Sequence, residues 1–163
     1  MAGTTHALNA VAAGLRLPLE FGHSGRNPLV AVPHTETASP EVKAVFDDIQ
    51  PFYAMDRVPA VFRWMARDAI FLQGYWGAVR AAFTDASLDR LTKEVLALAA
   101  SMTAKSDYGV DLHLREARRL GLTDQGLTEA VEVVQLFNTV TKIADALQLQ
   151  PDFNPAISAN DAR

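Results

Sequence analysis

From residue 39 onward, apolar positions recur with a helical period, and no strict apolar–polar alternation runs longer than four residues. In "ASPEVKAVFDDIQ", Ser39 suits an N-cap and Pro40 the first helical position, while Val42, Val45, Phe46 and Ile49 share one face. A short helix near 59–67 leads into a longer one near 68–83 that carries the aromatic-rich "FLQGYWGAVRAAF". "TDASLDRLTKEVLALAASMTA" predicts the next helix, with Ser87 as its N-cap. Residues 95–100 are apolar on nearly every side, which predicts a central, buried helix. Another helix starts near 107 and ends where Gly121 can take the left-handed C-cap conformation. Thr123 caps a last long helix, "DQGLTEAVEVVQLFNTVTKIADAL". The pattern is all-α: a compact bundle of about six helices over residues 39–147, with no internal repeat.

The flanks read differently. Residues 1–38 hold "EFGHSGRNP" together with Pro18, Pro28 and Pro33, which predicts an irregular arm. Its apolar residues (Leu15, Leu17, Leu19, Leu29, Val30, Val32) suit packing on the domain or on a neighbouring subunit. The polar, proline-containing stretch 148–163 predicts a flexible tail.

Composition narrows the function classes. The 163 residues are 49% hydrophobic and 21% charged, enough for one domain with its own core. A net charge of −4 gives no electrostatic case for nucleic acid. The densest basic group, "REARR" (115–119), is expected on a solvated helix face. There is no cysteine, so thiolate nucleophiles, zinc–thiolate sites and disulfides are excluded within this sequence. No stretch reaches the roughly 18 apolar residues of a membrane span, and the N-terminal segment lacks a basic signal-peptide start. The expectation is a cytoplasmic protein with no membrane partner.

Candidate chemistry concentrates in "SDYGVDLH" (106–113). On a helix starting there, Ser106, Gly109 and His113 fall on one face. Ser106 sits at the N-terminal end, where free N–H groups favour an anion. Gly109 costs about 1 kcal/mol against alanine in a helix, which makes sense if something approaches the backbone closely. Glu94, on the preceding helix, can reach His113 if the two helices pack antiparallel. A carboxylate beside an imidazole orients it for proton transfer, and Tyr108 adds a phenol. His113 and Glu116 have metal-ligand spacing, but a di-iron bundle needs a second such pair and none is present. No metal and no cofactor is therefore expected, and no dinucleotide fingerprint occurs.

These residues resemble a known pattern. "LTKEVLALAASMTAKSDYGVDLHLREARRLGLTDQGLTEAV" is similar to the core of the alkylhydroperoxidase D and carboxymuconolactone decarboxylase superfamily, whose motif is a glutamate, eleven residues, then Cys-x-Tyr-Cys-x-x-x-His. Glu94, Ser106, Tyr108, Gly109 and His113 fall on those positions, and the likeness spans about residues 39–147. In redox-active members the two cysteines form a reducible disulfide, and the other three residues relay protons to it. Here Ser106 and Gly109 stand in place of both cysteines. A serine hydroxyl cannot cycle through a disulfide, so the thiol peroxidase chemistry is lost.

The resemblance implies a bundle of the alkylhydroperoxidase D-like type that forms a homo-oligomer, trimer or hexamer, with sites near subunit interfaces. It also implies a non-redox, cofactor-free acid–base enzyme for a small organic acid, lactone or related metabolite. His113 would be the acid/base, Glu94 its orienting partner, and Tyr108 or Ser106 a donor to an oxyanion. Gly109 would make room for substrate, Trp76, with Phe71, Tyr75 and Phe83, would supply apolar walls, and Lys93, Arg80 and Lys105 are candidate carboxylate anchors. The alternative is a non-catalytic ligand-binding or assembly protein that keeps the scaffold.

Overall fold

A computed structural model of the protein describes residues 29–150; residues 1–28 and 151–163, which hold most of the expected arm and tail, lie outside the described residues. After a single 3₁₀ turn at Thr35–Thr37 come six α-helices: α1 (Pro40–Tyr53), α2 (Ala60–Met65), α3 (Ala69–Phe83), α4 (Arg90–Thr103), α5 (Asp107–Arg119) and α6 (Asp124–Ala146). The described residues form no strand.

Each helix start has a local cause. Ser39 accepts a hydrogen bond from the Val42 N–H with Pro40 at the first position, and Asp68 accepts from Phe71. α4 corrects one expectation: its N-cap is Asp89, not Ser87. The Asp89 carboxylate takes the Thr92 N–H at 2.7 Å, and Asp85 takes the Arg90 N–H at 2.6 Å. Two carboxylates thus satisfy the amides that open the helix, which a serine two residues earlier cannot reach. Thr123 caps α6, and Gly121 (φ 110°) makes the left-handed turn after α5.

α1, α2 and α3 pack together, α4 and α5 form the most intimate pair, and α6 lies against α4. The connection between α4 and α5 is only three residues, Ala104–Ser106, with Lys105 in the left-handed region (φ 53°). Contacts spread evenly away from it, Glu94 to His113 and then Arg90 to Glu116, so the two helices run antiparallel. The core is aromatic at its centre. Trp76 packs edge-on against Phe52 and Phe62, with ring centroids at 5.1 and 5.5 Å, and Tyr53 fills the remaining side. α4 is less enclosed than its sequence suggests: Ala97 and Leu98 are buried, but Leu96 is half exposed. An all-round apolar run does not say which side a single chain covers.

Candidate functional site

Glu94 sits in the second turn of α4 and His113 mid-way along α5, and antiparallel pairing brings them face to face. His113 Nδ1 lies 2.8 Å from Glu94 Oε2, and both side chains are buried, at 1% and 0% exposure. Phe83, the last residue of α3, stacks parallel to the imidazole, 7° between planes and 5.7 Å between centroids. The ring is thereby fixed from one side by a carboxylate and from one face by a phenyl ring. With Nδ1 committed to Glu94, proton exchange with anything else falls to Nε2.

Behind this pair lies a charged layer that the sequence did not announce. Arg90, one turn before Glu94, approaches Glu94 Oε1 with its Nε at 3.5 Å and donates through Nη2 to Glu116 Oε2 at 3.1 Å. Neither Arg90 Nε nor Glu94 Oε1 has a hydrogen bond of good geometry, so that contact is an ion pair alone. Glu116 is fully buried and is also bonded by Arg115 and by Arg119, the latter at 2.8 Å. The "REARR" group is therefore not simply a solvated face. Arg115 and Arg119 bend onto Glu116 because a buried carboxylate must be neutralised. Arg118 instead turns to Leu122 O and the exposed Asp124, so the sequence expectation is corrected in part.

The same arginines close the end of α1. That helix has no basic residue in its last turn, and its final carbonyls need donors. Arg90 Nη1 donates to Phe52 O at 2.7 Å, and Arg115 donates to Tyr53 O at 2.5 Å and Ala54 O at 3.2 Å. Arg90 also lies over the Phe52 ring, 3.7 Å from its centroid. Tyr53, beneath this layer, is held neutral. Burial, then the Glu94 carboxylate, with Glu116 adding to it, pushes its phenol well above the usual range, and Arg90 opposes this in part.

The remaining sequence candidates separate. Ser106 is the N-cap of α5, its Oγ accepting the Gly109 N–H at 3.1 Å, which leaves the hydroxyl hydrogen as a donor. Gly109 is buried beside it. Tyr108 is buried with its hydroxyl accepting the Val61 N–H at 3.4 Å, so it reaches the start of α2. Lys93 is nearly buried and donates to Thr84 O at 2.5 Å. Trp76 and Arg80 both donate to Asp48, at 2.7 and 2.8 Å. Of the expected walls, Phe83 meets His113, whereas Phe71 and Tyr75 pair with each other and Phe71 is half exposed. Two clefts of about 300 Å³ flank the turn at Thr35–Thr37, and neither is lined by Glu94 or His113.

Arg90 was legible in principle, because a basic residue four positions before Glu94 is a helix-face pair. Glu116 carried a signal too: three arginines within three residues of it.

The profile of the Carboxymuconolactone decarboxylase family matches residues 69–150, half of the chain. The chain belongs to that family. The alkylhydroperoxidase AhpD core of Rhodospirillum rubrum ATCC 11170, solved at 1.95 Å, is similar in fold and sequence. The TM-score is 0.66 and the identity 32%, over 69% of this chain and 84% of that one. None of the curated proteins matches. Within the carboxymuconolactone decarboxylase family, this member lacks both redox cysteines and has none elsewhere in its 163 residues.

Proposed function

We propose that this carboxymuconolactone decarboxylase family member is a non-redox acid–base enzyme acting on a small organic acid, lactone or related metabolite. The observation that carries the proposal is the buried 2.8 Å contact between His113 Nδ1 and Glu94 in a chain with no cysteine. In this reading Nε2 takes a proton from, or gives one to, a carbon or oxygen of the substrate. Glu94 is a positioning residue: it fixes the tautomer and offsets the charge the imidazole gains on protonation. The Ser106 hydroxyl, on the same face of α5, serves a developing oxyanion, and Gly109 leaves the backbone open beside it. Tyr108 is the second candidate donor. Substrate carries its own negative charge in this scheme, and Lys93 and Arg80 are the proposed anchors only if they leave Thr84 and Asp48.

A scaffold that binds or assembles without turnover is favoured by a different observation, the near-total burial of the pair under Phe83 within a single chain. One experiment separates the two. Wild type, His113→Ala and Glu94→Gln are screened by thermal shift against small carboxylates and lactones, and hits are followed for turnover. The enzyme reading expects a ligand whose conversion disappears in both variants while each stays folded. Binding without conversion in wild type supports the scaffold, and conversion that survives in both variants removes Glu94 and His113 from the mechanism.

A further inference from the structure

α3 departs from the pattern of a surface helix. Leu72, Trp76, Val79 and Phe83 face the core, and the opposite side of such a helix is ordinarily polar. Here that side holds Ile70, Gly74, Gly77 and Ala81, spaced four, three and four apart, and all of them are exposed, Ile70 at 83%. Phe71 and Ala78, also exposed, extend the apolar surface on one flank. The polar side chains Gln73 and Arg80 sit together on the other flank, where Arg80 turns to Asp48. Glycine is the poorest helix former after proline, yet a methyl group added at Gly74 or Gly77 would meet nothing within 4 Å among the described residues. Glycine in a helix interior has a use where another segment lies directly on the backbone.

The place where the described chain begins names the segment. Arg67, just before the Asp68 N-cap of α3, donates through Nη2 to Ala31 O at 2.6 Å. Pro33 and His34 line a cleft together with Ala66, Arg67 and Ala69. The chain therefore arrives from residues 1–28 beside the first turn of α3, at the end of the face that Ile70 opens. In that segment "LRLPLEF" sets Leu15, Leu17, Leu19 and Phe21 two residues apart. Pro18 fixes its own φ and favours an extended Leu17, and an extended chain projects alternate side chains to one side. Seven residues in that form span about 23 Å, against about 22 Å for the 15 residues of α3. We propose that residues 15–21 of this same chain lie along the outer face of α3, Phe21 towards Ile70 and Leu15 towards Ala81. "GHSGRNP" (22–28), which reaches up to ~23 Å, joins them to Leu29. The two glycines let the segment sit close to the helix. Because α3 ends at Phe83, whose ring stacks on His113, the segment braces the helix that covers the candidate site.

The test uses the full chain, which has no cysteine of its own. Leu15→Cys/Ala81→Cys is treated with a bismaleimide of about 10 Å span, the separation of packed elements. Leu15→Cys/Glu132→Cys, whose second site is exposed on α6, is the control. Denaturing gels and peptide mass spectrometry should show a link within one chain that forms at least roughly tenfold faster than in the control, because docking raises the effective concentration. Equal rates in the two pairs would overturn the proposal. So would a link that joins two chains, which would give the face to a second copy. Gly77→Ala in the full chain is the second readout. If the segment lies close on the backbone, the added methyl pushes it away and lowers Tm. A bare face would instead gain from the better helix propensity of alanine, and a raised Tm would overturn the proposal.

Discussion

Replacing Glu116 by glutamine tests whether the charged layer behind the Glu94–His113 pair holds the fold together. The substitution keeps the shape and removes the charge that Arg90, Arg115 and Arg119 share. Removing one partner of a buried pair typically costs about 3–5 kcal/mol, because the other charge is left uncompensated. Here the lower end applies. Arg115 and Arg119 are 26% and 31% exposed and can turn to water, whereas Arg90 is 16% exposed and is held by the Phe52 carbonyl. The expected loss is about 3 kcal/mol, which for a domain of this size lowers Tm by roughly 6–12 °C. Urea unfolding at fixed protein concentration reads it as a lower midpoint with an unchanged m-value. Asp47→Asn is the control. It breaks the Lys43–Asp47 pair at 2.8 Å, whose side chains are both more than half exposed, and should cost under about 1 kcal/mol. A Glu116→Gln loss as small as the control's would refute the reasoning and class the arginines as surface charges.

Three further outcomes follow from the same geometry. The Tyr53 phenol is raised in the folded state, so its contribution is complete below the unfolded value near 10 and is lost as pH rises through the higher folded value. Tyr53→Phe should therefore unfold at higher pH than wild type in an alkaline titration followed by circular dichroism, and superimposable alkaline limbs would contradict this. Gly121→Ala forces a side chain into φ 110° and should cost about 1–2 kcal/mol in urea unfolding; a neutral result would mean the turn relaxes. Ring-nitrogen NMR of His113 should show the proton on Nδ1, towards Glu94, in the neutral imidazole. A proton on Nε2 instead would mean that Glu94 does not orient the ring.

Much of the fold was legible because its determinants are local. Ser39 with Pro40, Thr123 and Gly121 each act within a few residues, and each stands where its chemistry requires. The meeting of Glu94 with His113 was legible for a similar reason. A short turn between two helices fixes an antiparallel pair, and pairing follows from counting back from the turn. What failed depended on competition or on long side chains. Ser87 and Asp89 are both good caps, and the choice went to Asp89 because Asp85 satisfies a second amide. "REARR" looked solvated because guanidinium groups on flexible stems reach a buried carboxylate as readily as water. The exposure of Leu96 and of the outer face of α3 is not a property of one helix at all. It depends on what lies opposite.

The acid–base account is tested most directly by deuterium exchange. Small carboxylates, lactones and ketones are incubated in D₂O with wild type or His113→Gln, and incorporation at carbon is followed by NMR. Proton transfer at carbon is recorded whether the full reaction is decarboxylation, isomerisation or ring opening. The account predicts at least one compound that gains deuterium with wild type and at background rate with His113→Gln. Equal incorporation by both proteins, or none by wild type across the panel, would contradict it.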